Sequence, residues 1–199
     1  MKALNEIQTG LLKEMGNIGA GNAATALSKI LGAKIEITVP NVWMIPVERM
    51  NEPLGQVEEL TVALFLKASG GAPGKAVFLL DVPSAERIAA ALLGTQPPLE
   101  LFSNEMAQSA LQEVGNIIVS SFLIALTHFS GIPLQSSVPA IGIDMLGAIL
   151  DGILLDSEDV GDSVLIIDTA FSGSQKIEGK FLFIPDEGSL EKLLGVFGV

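Results

Sequence analysis

Residues 109–139 read SALQEVGNIIVSSFLIALTHFSGIPLQSSVP, and residues 10–40 read GLLKEMGNIGAGNAATALSKILGAKIEITVP. Set one beneath the other, Glu14 and Asn17 fall on Glu113 and Asn116 at an offset of 99 residues. The same offset matches Leu12, Gly16, Ile18, Ala26, Leu27, Gly32, Val39 and Pro40 to identical residues. Further along, Gly74, Lys75 and Phe78 align with Gly179, Lys180 and Phe183 at an offset of 105, as do Asp81, Ser84 and Glu86 with Asp186, Ser189 and Glu191. An internal repeat outranks any single element in deciding a fold. The chain reads as two copies of one unit, about residues 1–96 and 100–199, and the second copy carries an insertion between Pro139 and Gly179.

Within the first copy, Asn5 caps a long helix, with Gln8 three residues on as in a capping box, and Gly32 ends it. Leu4, Ile7, Leu11, Met15, Ile18, Ala26, Leu27 and Ile30 recur at helical spacing and predict its buried stripe. Gly16, Gly19 and Gly21 lower helix propensity. Their density points to close helix packing. At Gly16 and Gly115 it also leaves room for a partner beside the Glu–Asn pair. Strands are expected over residues 34–39, 42–47, 60–66 and 75–80, with a hairpin link at 68–74. Ser84 then caps a helix that runs through Leu93 to Gly94. The second copy repeats the order: a helix from Asn104 to Gly131, strands near 134–138, 164–169 and 179–184, and a last helix over 189–197. Its insertion, around 143–162, places Met145, Leu146, Ile149, Leu150, Ile153 and Leu154 at helical spacing beside Asp144, Asp151 and Asp156. That is a short amphipathic helix unique to the second half, used for core packing or for docking another protein.

The expected architecture is α/β (α+β), a pseudo-two-fold duplicated unit. It has an antiparallel sheet with the two long homologous helices packed side by side, antiparallel, on one face. A single domain over 1–199 is expected, because each half alone would bury a small core.

Composition removes several chemistries. The chain has 199 residues and no cysteine, which excludes disulfides and thiolate metal sites, and a single histidine, His128, leaves little scope for other metal sites or a His-based triad. A net charge of −12, with no Tyr and one Trp, argues against nucleic acid. Residues 114–143 lack Asp, Glu, Lys and Arg, and a spanning helix needs ~20 apolar residues. Yet Asn116, Ser120, Ser121, Thr127, His128 and Ser130 interrupt the helical part, and its repeat partner carries Lys13, Glu14, Asn22 and Lys29. A buried helix is expected, with no membrane insertion. Met1-Lys2 is followed by Asn5 and Glu6 rather than an apolar run, so a cytoplasmic location is expected.

A Glu and an Asn three residues apart share one helix face. They make a poor nucleophile set. A carboxamide, however, holds one acceptor and two donors and can orient a water. Phosphoryl transfer exploits that geometry: the electrophile is already activated and the nucleophile needs only position. The alternative is an ordinary polar helix face. The duplication favours function, because a polar pair kept twice among apolar neighbours packs poorly.

At this point the sequence resembles the CheC/CheX/FliY family of chemotaxis phosphatases, and within it the CheC branch. The family pattern is Asp or Ser, three residues, Glu, two residues, Asn, twenty-two residues, Pro. The second copy matches throughout with Ser109, Glu113, Asn116 and Pro139, while the first has Glu14, Asn17 and Pro40 but Gly10 at the leading position. Two motif copies differ from CheX, which carries one, and a switch domain of the FliY kind after Val199 is not expected.

The resemblance implies hydrolysis of the aspartyl phosphate of CheY. Asn17 and Asn116 would position water, and Glu14 and Glu113 would pair with the receiver's lysine. Magnesium would be held in the CheY site, and this chain would carry no cofactor of its own. It also implies binding of the receptor deamidase CheD, for which Asp144, Met145, Ile149 and Asp151 are the expected contacts. A monomer is expected. The alternatives are a largely non-catalytic CheD-binding adaptor and a FliY-like flagellar-switch phosphatase. Ser109 stands one turn before Glu113 and is expected to steady its carboxylate, which Gly10 cannot do for Glu14.

Overall fold

The computed structural model describes residues 6–155, 161–172 and 177–195. The expected cap Asn5, the acidic Asp156 and residues 196–197 of the expected last helix lie outside these residues. The strands are β1 (Glu36–Thr38), β2 (Val42–Pro46), β3 (Leu60–Gly70), β4 (Gly74–Asp81), β5 (Leu134–Ser136), β6 (Ala140–Met145), β7 (Ser163–Ser172) and β8 (Ile177–Pro185). The helices are α1 (Glu6–Leu31), α2 (Val82–Leu93), α3 (Glu105–Ser130), α4 (Leu146–Leu155) and α5 (Ser189–Gly195).

Among the described residues all strand pairings are antiparallel, in one sheet of eight strands ordered β1-β7-β8-β4-β3-β5, with β2 also on β7 and β6 also on β3. The repeat's two-fold axis can be located in the register. Val77 pairs with Leu182, which is its own equivalent 105 residues on. Gly74 pairs with Pro185 and Leu80 with Gly179, and the repeat exchanges these two pairs. The halves also exchange strands: β1 and β2 pair with β7 of the second half, and β5 and β6 pair with β3 of the first.

Period-two alternation along the central strands divides the core into two layers. Leu64, Leu66, Phe78, Leu80, Leu165, Ile167, Phe181 and Phe183 face α1, α2, α3 and α5. Ala63, Val77, Leu79, Val164, Ile166, Leu182 and Ile184 face the other way, under α4 and the segment carrying Met50 and Leu54. Phe122 of α3 stacks on Phe181 with ring centroids 4.6 Å apart, and α1 packs directly on α3.

Several local expectations change. The buried stripe of α1 is Leu12, Met15, Gly16, Gly19, Ala20, Ala23, Ala24 and Leu27, with Gln8. Ile7, Ile18 and Ile30 are exposed instead. The reason is proximity: a Cβ on Gly19 would lie 3.1 Å from the Phe122 Cα, so only small residues fit that line. The cap of α2 is Asp81 rather than Ser84. β4 runs through Asp81, whose carboxylate accepts from the Ser84 N–H, and Pro83 sits in the first turn, where no N–H is needed. Strand β6 was not anticipated. The insertion helix is present as α4, and its first-half counterpart is a single 3-10 turn at Val47–Arg49. Asn104 caps α3 by accepting from the Ala107 N–H, and Gly131 closes it at φ +67°. By length and composition α3 could cross a membrane, but here its Leu111, Val114, Ile118, Phe122 and Leu126 are buried in the core.

Candidate functional site

The same local logic builds both Glu–Asn pairs. In α3, Val114 and Gly115 turn inward, and Glu113 and Asn116 are left on the outer side. In α1, Met15 and Gly16 turn inward beneath Glu14 and Asn17. Glu14, Asn17 and Glu113 are exposed, whereas Asn116 is half-buried. The glycine inside each pair faces the sheet and not a partner. A Cβ on Gly115 would lie 2.8 Å from Leu64 Cβ, and one on Gly16 would lie 3.3 Å from Val39 Cγ1. The glycines therefore seat each helix low on the sheet, and the polar pair rides on the opposite side.

Around Asn116 the structure adds polar support that the motif does not contain. The Ser120 hydroxyl donates to Asn116 Oδ1 at 3.3 Å and lies 3.1 Å from the Ser136 hydroxyl on β5. One residue before Glu113, Gln112 Nε2 donates to the carbonyl of Pro139 at 3.4 Å. That contact ties the motif proline, just ahead of β6, to the motif helix. In the first half Lys13 stands in place of Gln112 and Gly21 in place of Ser120. A Cβ on Gly21 would meet nothing within 4 Å. Pro40 is exposed in the link between β1 and β2.

Ser109 is exposed, and among the described residues it makes no hydrogen bond to Glu113. The expected carboxylate clamp is absent; support in this site reaches the Asn through Ser120. Gly10 faces open space.

The expected docking residues divide. Asp144, Met145 and Asp151 are exposed, and the Asp144 carboxylate accepts from the Met145 N–H at 2.8 Å. Ile149 is 6% exposed and belongs to the core under α4. Its helical spacing fits both uses, and it shares its buried cluster with Ile166 and Leu182.

Two further features escaped the sequence reading. Ser120 and Ser136 are sixteen residues apart on different elements, so only the fold brings them together. Ile7 and Met106 are 74% and 70% exposed at equivalent positions two turns before each Glu. The 99-residue repeat could have revealed that pair as a shared surface feature.

Chemically, each site offers a carboxylate and a carboxamide on a convex helix face. Among the described residues no group of three His, Asp or Glu side chains could hold a metal ion. The geometry suits engagement of a second macromolecule that brings its own reactive group.

Comparison with known proteins gives the same picture. The model of the CheC-like family matches residues 7–44 and 106–143, the two motif regions. The CheY-P phosphatase CheC of Bacillus subtilis (strain 168) is 31% identical over 201 residues, covering 98% of this chain and 96% of that protein. The crystal structure of Thermotoga maritima FliY superposes with a TM-score of 0.76 at 24% identity, covering 99% of this chain and 98% of that one. The structure of a CheX-CheY-BeF3-Mg2+ complex from Borrelia burgdorferi has a TM-score of 0.53 at 18% identity, covering 85% of this chain and 96% of that one. Taken with the duplicated helix motif and the interlocked sheet, these matches show that the chain belongs to the CheC-like family.

Proposed function

We propose that the chain is a protein phosphatase that hydrolyses the aspartyl phosphate of the response regulator CheY. The observation that carries this reading is the pair of outward Glu–Asn faces, Glu14–Asn17 and Glu113–Asn116, repeated on two helices seated on one sheet. The relatives support it, since the similar Bacillus subtilis protein is a CheY-P phosphatase.

The reaction needs little from this chain except position. Asn116, or Asn17, enters the receiver's active site and holds a water in line with the phosphorus. The water oxygen attacks, the bond between phosphorus and the aspartyl oxygen breaks, and inorganic phosphate and the free carboxylate result. Glu113, or Glu14, pairs with a lysine of the receiver and fixes the docking angle. Magnesium belongs to the receiver's own site. Positioning of this kind can lower a barrier by up to ~7–11 kcal/mol. The test is decay of phosphorylated CheY with and without the protein. Acceleration lost on changing both Asn17 and Asn116 to Ala supports the proposal; unchanged acceleration refutes it.

A second role, binding of CheD, rests on α4, which the first half lacks. There Met145 and Leu155 are 51% and 87% exposed beside the carboxylates Asp144 and Asp151. Charge reversal at Asp144 or Asp151 weakens CheD binding by titration calorimetry, and unchanged affinity in both variants removes the role.

A further inference from the structure

We infer that Ser120 is a positioning residue for Asn116, and that its absence from the first half makes the two sites unequal. This rests on the phosphatase reading above. A carboxamide has two ends that differ chemically, an acceptor oxygen and a donor NH2. If the group is free to turn about its terminal bond, the two ends exchange, and a water held by one orientation is lost in the other. Rotation about such sp³–sp² bonds is broad and roughly two-fold, so the helix alone does not choose.

Ser120 supplies a restraint on that rotation in the second half. Its hydroxyl donates to Asn116 Oδ1 at 3.3 Å, which leaves the Nδ2 donors and one Oδ1 lone pair for the reaction. The separation is long for such a bond, as catalytic hydrogen bonds often are before the complex forms. Ser136 lies 3.1 Å from the same hydroxyl. With Ser120 donating to Asn116, Ser136 supplies the proton that Ser120 accepts. The chain Ser136–Ser120–Asn116 thus anchors the carboxamide to β5, an element outside the helix.

No counterpart exists at Gly21, which has no hydroxyl. Nor is Asn17 held in the half-buried setting of Asn116; it is exposed. The two sites share the motif and differ in what holds it.

The experiment reads each site alone. In an Asn17→Ala background, kcat and KM are measured for phosphorylated CheY with Ser120 intact, with Ser120→Ala and with Ser120→Thr. Ser120→Ala is expected to lower kcat about tenfold, the equivalent of ~1.4 kcal/mol, with KM and melting temperature unchanged. Ser120→Thr keeps the hydroxyl and is expected to retain most of kcat. An unchanged kcat in Ser120→Ala overturns the inference. A threonine variant as impaired as alanine overturns it too, as does a loss matched by a fall in melting temperature. The double Asn17→Ala, Asn116→Ala variant separates the two layers of argument. If that variant stays active, the phosphatase site itself is misassigned. If it is dead while Ser120→Ala is fully active, only the role of Ser120 fails.

Discussion

The two motif helices were built from one ancestral stretch and now differ in their surroundings. On α3 the motif stands among Gln112, Ser120 and Ser136, which connect it to Pro139 and to β5. On α1 the equivalent positions hold Lys13 and Gly21, and Asn17 is more open to solvent than Asn116. Both helices keep the inward glycine that sets their depth on the sheet. The comparison teaches that the motif fixes direction and the neighbours fix precision. A Glu and Asn three residues apart share a face on any helix. Restraining the carboxamide takes a further partner, Ser120 one turn on, itself backed by Ser136 on β5.

The largest expected effect tests the sites together and then apart. Changing Asn17 and Asn116 both to Ala leaves only the receiver's own rate of dephosphorylation. Asn116→Ala alone removes most of the activity, about tenfold, while Asn17→Ala costs less than about twofold, a difference of ~1 kcal/mol in transition-state stabilisation. Stopped-flow decay of CheY phosphate decides it. A greater loss from Asn17→Ala would invert the ranking and break the comparison.

Stability offers the next contrast. Gly115→Ala brings a Cβ to 2.8 Å from Leu64 and must lift α3 or shift that side chain. Overpacking of this kind destabilises by ~1–3 kcal/mol. At Gly16 the nearest atoms are side-chain methyls of Val39 and Ile167 at 3.3 and 3.4 Å, so the alanine there destabilises less. Urea unfolding of both variants gives the order, and equal midpoints would mean that the helices do not sit at different tolerances.

A change of opposite sign is expected at Gly21. It lies inside α1 and faces open space, so Gly21→Ala gains ~0.5–1 kcal/mol of helix stability. A lowered melting temperature would overturn the reading of Gly21 as a free helix position. The smallest effect belongs to Gly10→Ser. Because Ser109 makes no hydrogen bond to Glu113, restoring the motif's leading serine in the first half changes activity by less than about twofold, within the spread of a neutral surface substitution. A large gain in the Asn116→Ala background would return the leading residue to the centre of the argument.

The amino-acid sequence by itself determined the duplication, the two Glu–Asn pairs, the cap at Asn104 and the stops at Gly32 and Gly131. These are local properties. Spacing along a helix fixes which side chains share a face, and a capping residue acts on the turn beside it. The expected strands at 60–66, 75–80, 164–169 and 179–184 fall within β3, β4, β7 and β8.

What the tertiary structure alone decided is which surfaces meet. Nothing in residues 36–46 says that they pair with β7 of the other half and not with β3 of their own. Hydropathy assigned Ile7, Ile18 and Ile30 to the core of α1, yet the buried line holds Gly16, Gly19, Ala20, Ala23 and Ala24, because Phe122 and the sheet stand too close for anything larger. Ile149 carried the pattern of a docking residue and was claimed by the second core layer. Ser120 and Ser136 became neighbours only when β5 was laid beside α3. A contact between distant segments depends on the shapes of both partners after folding, and a single stretch of sequence records only one of them.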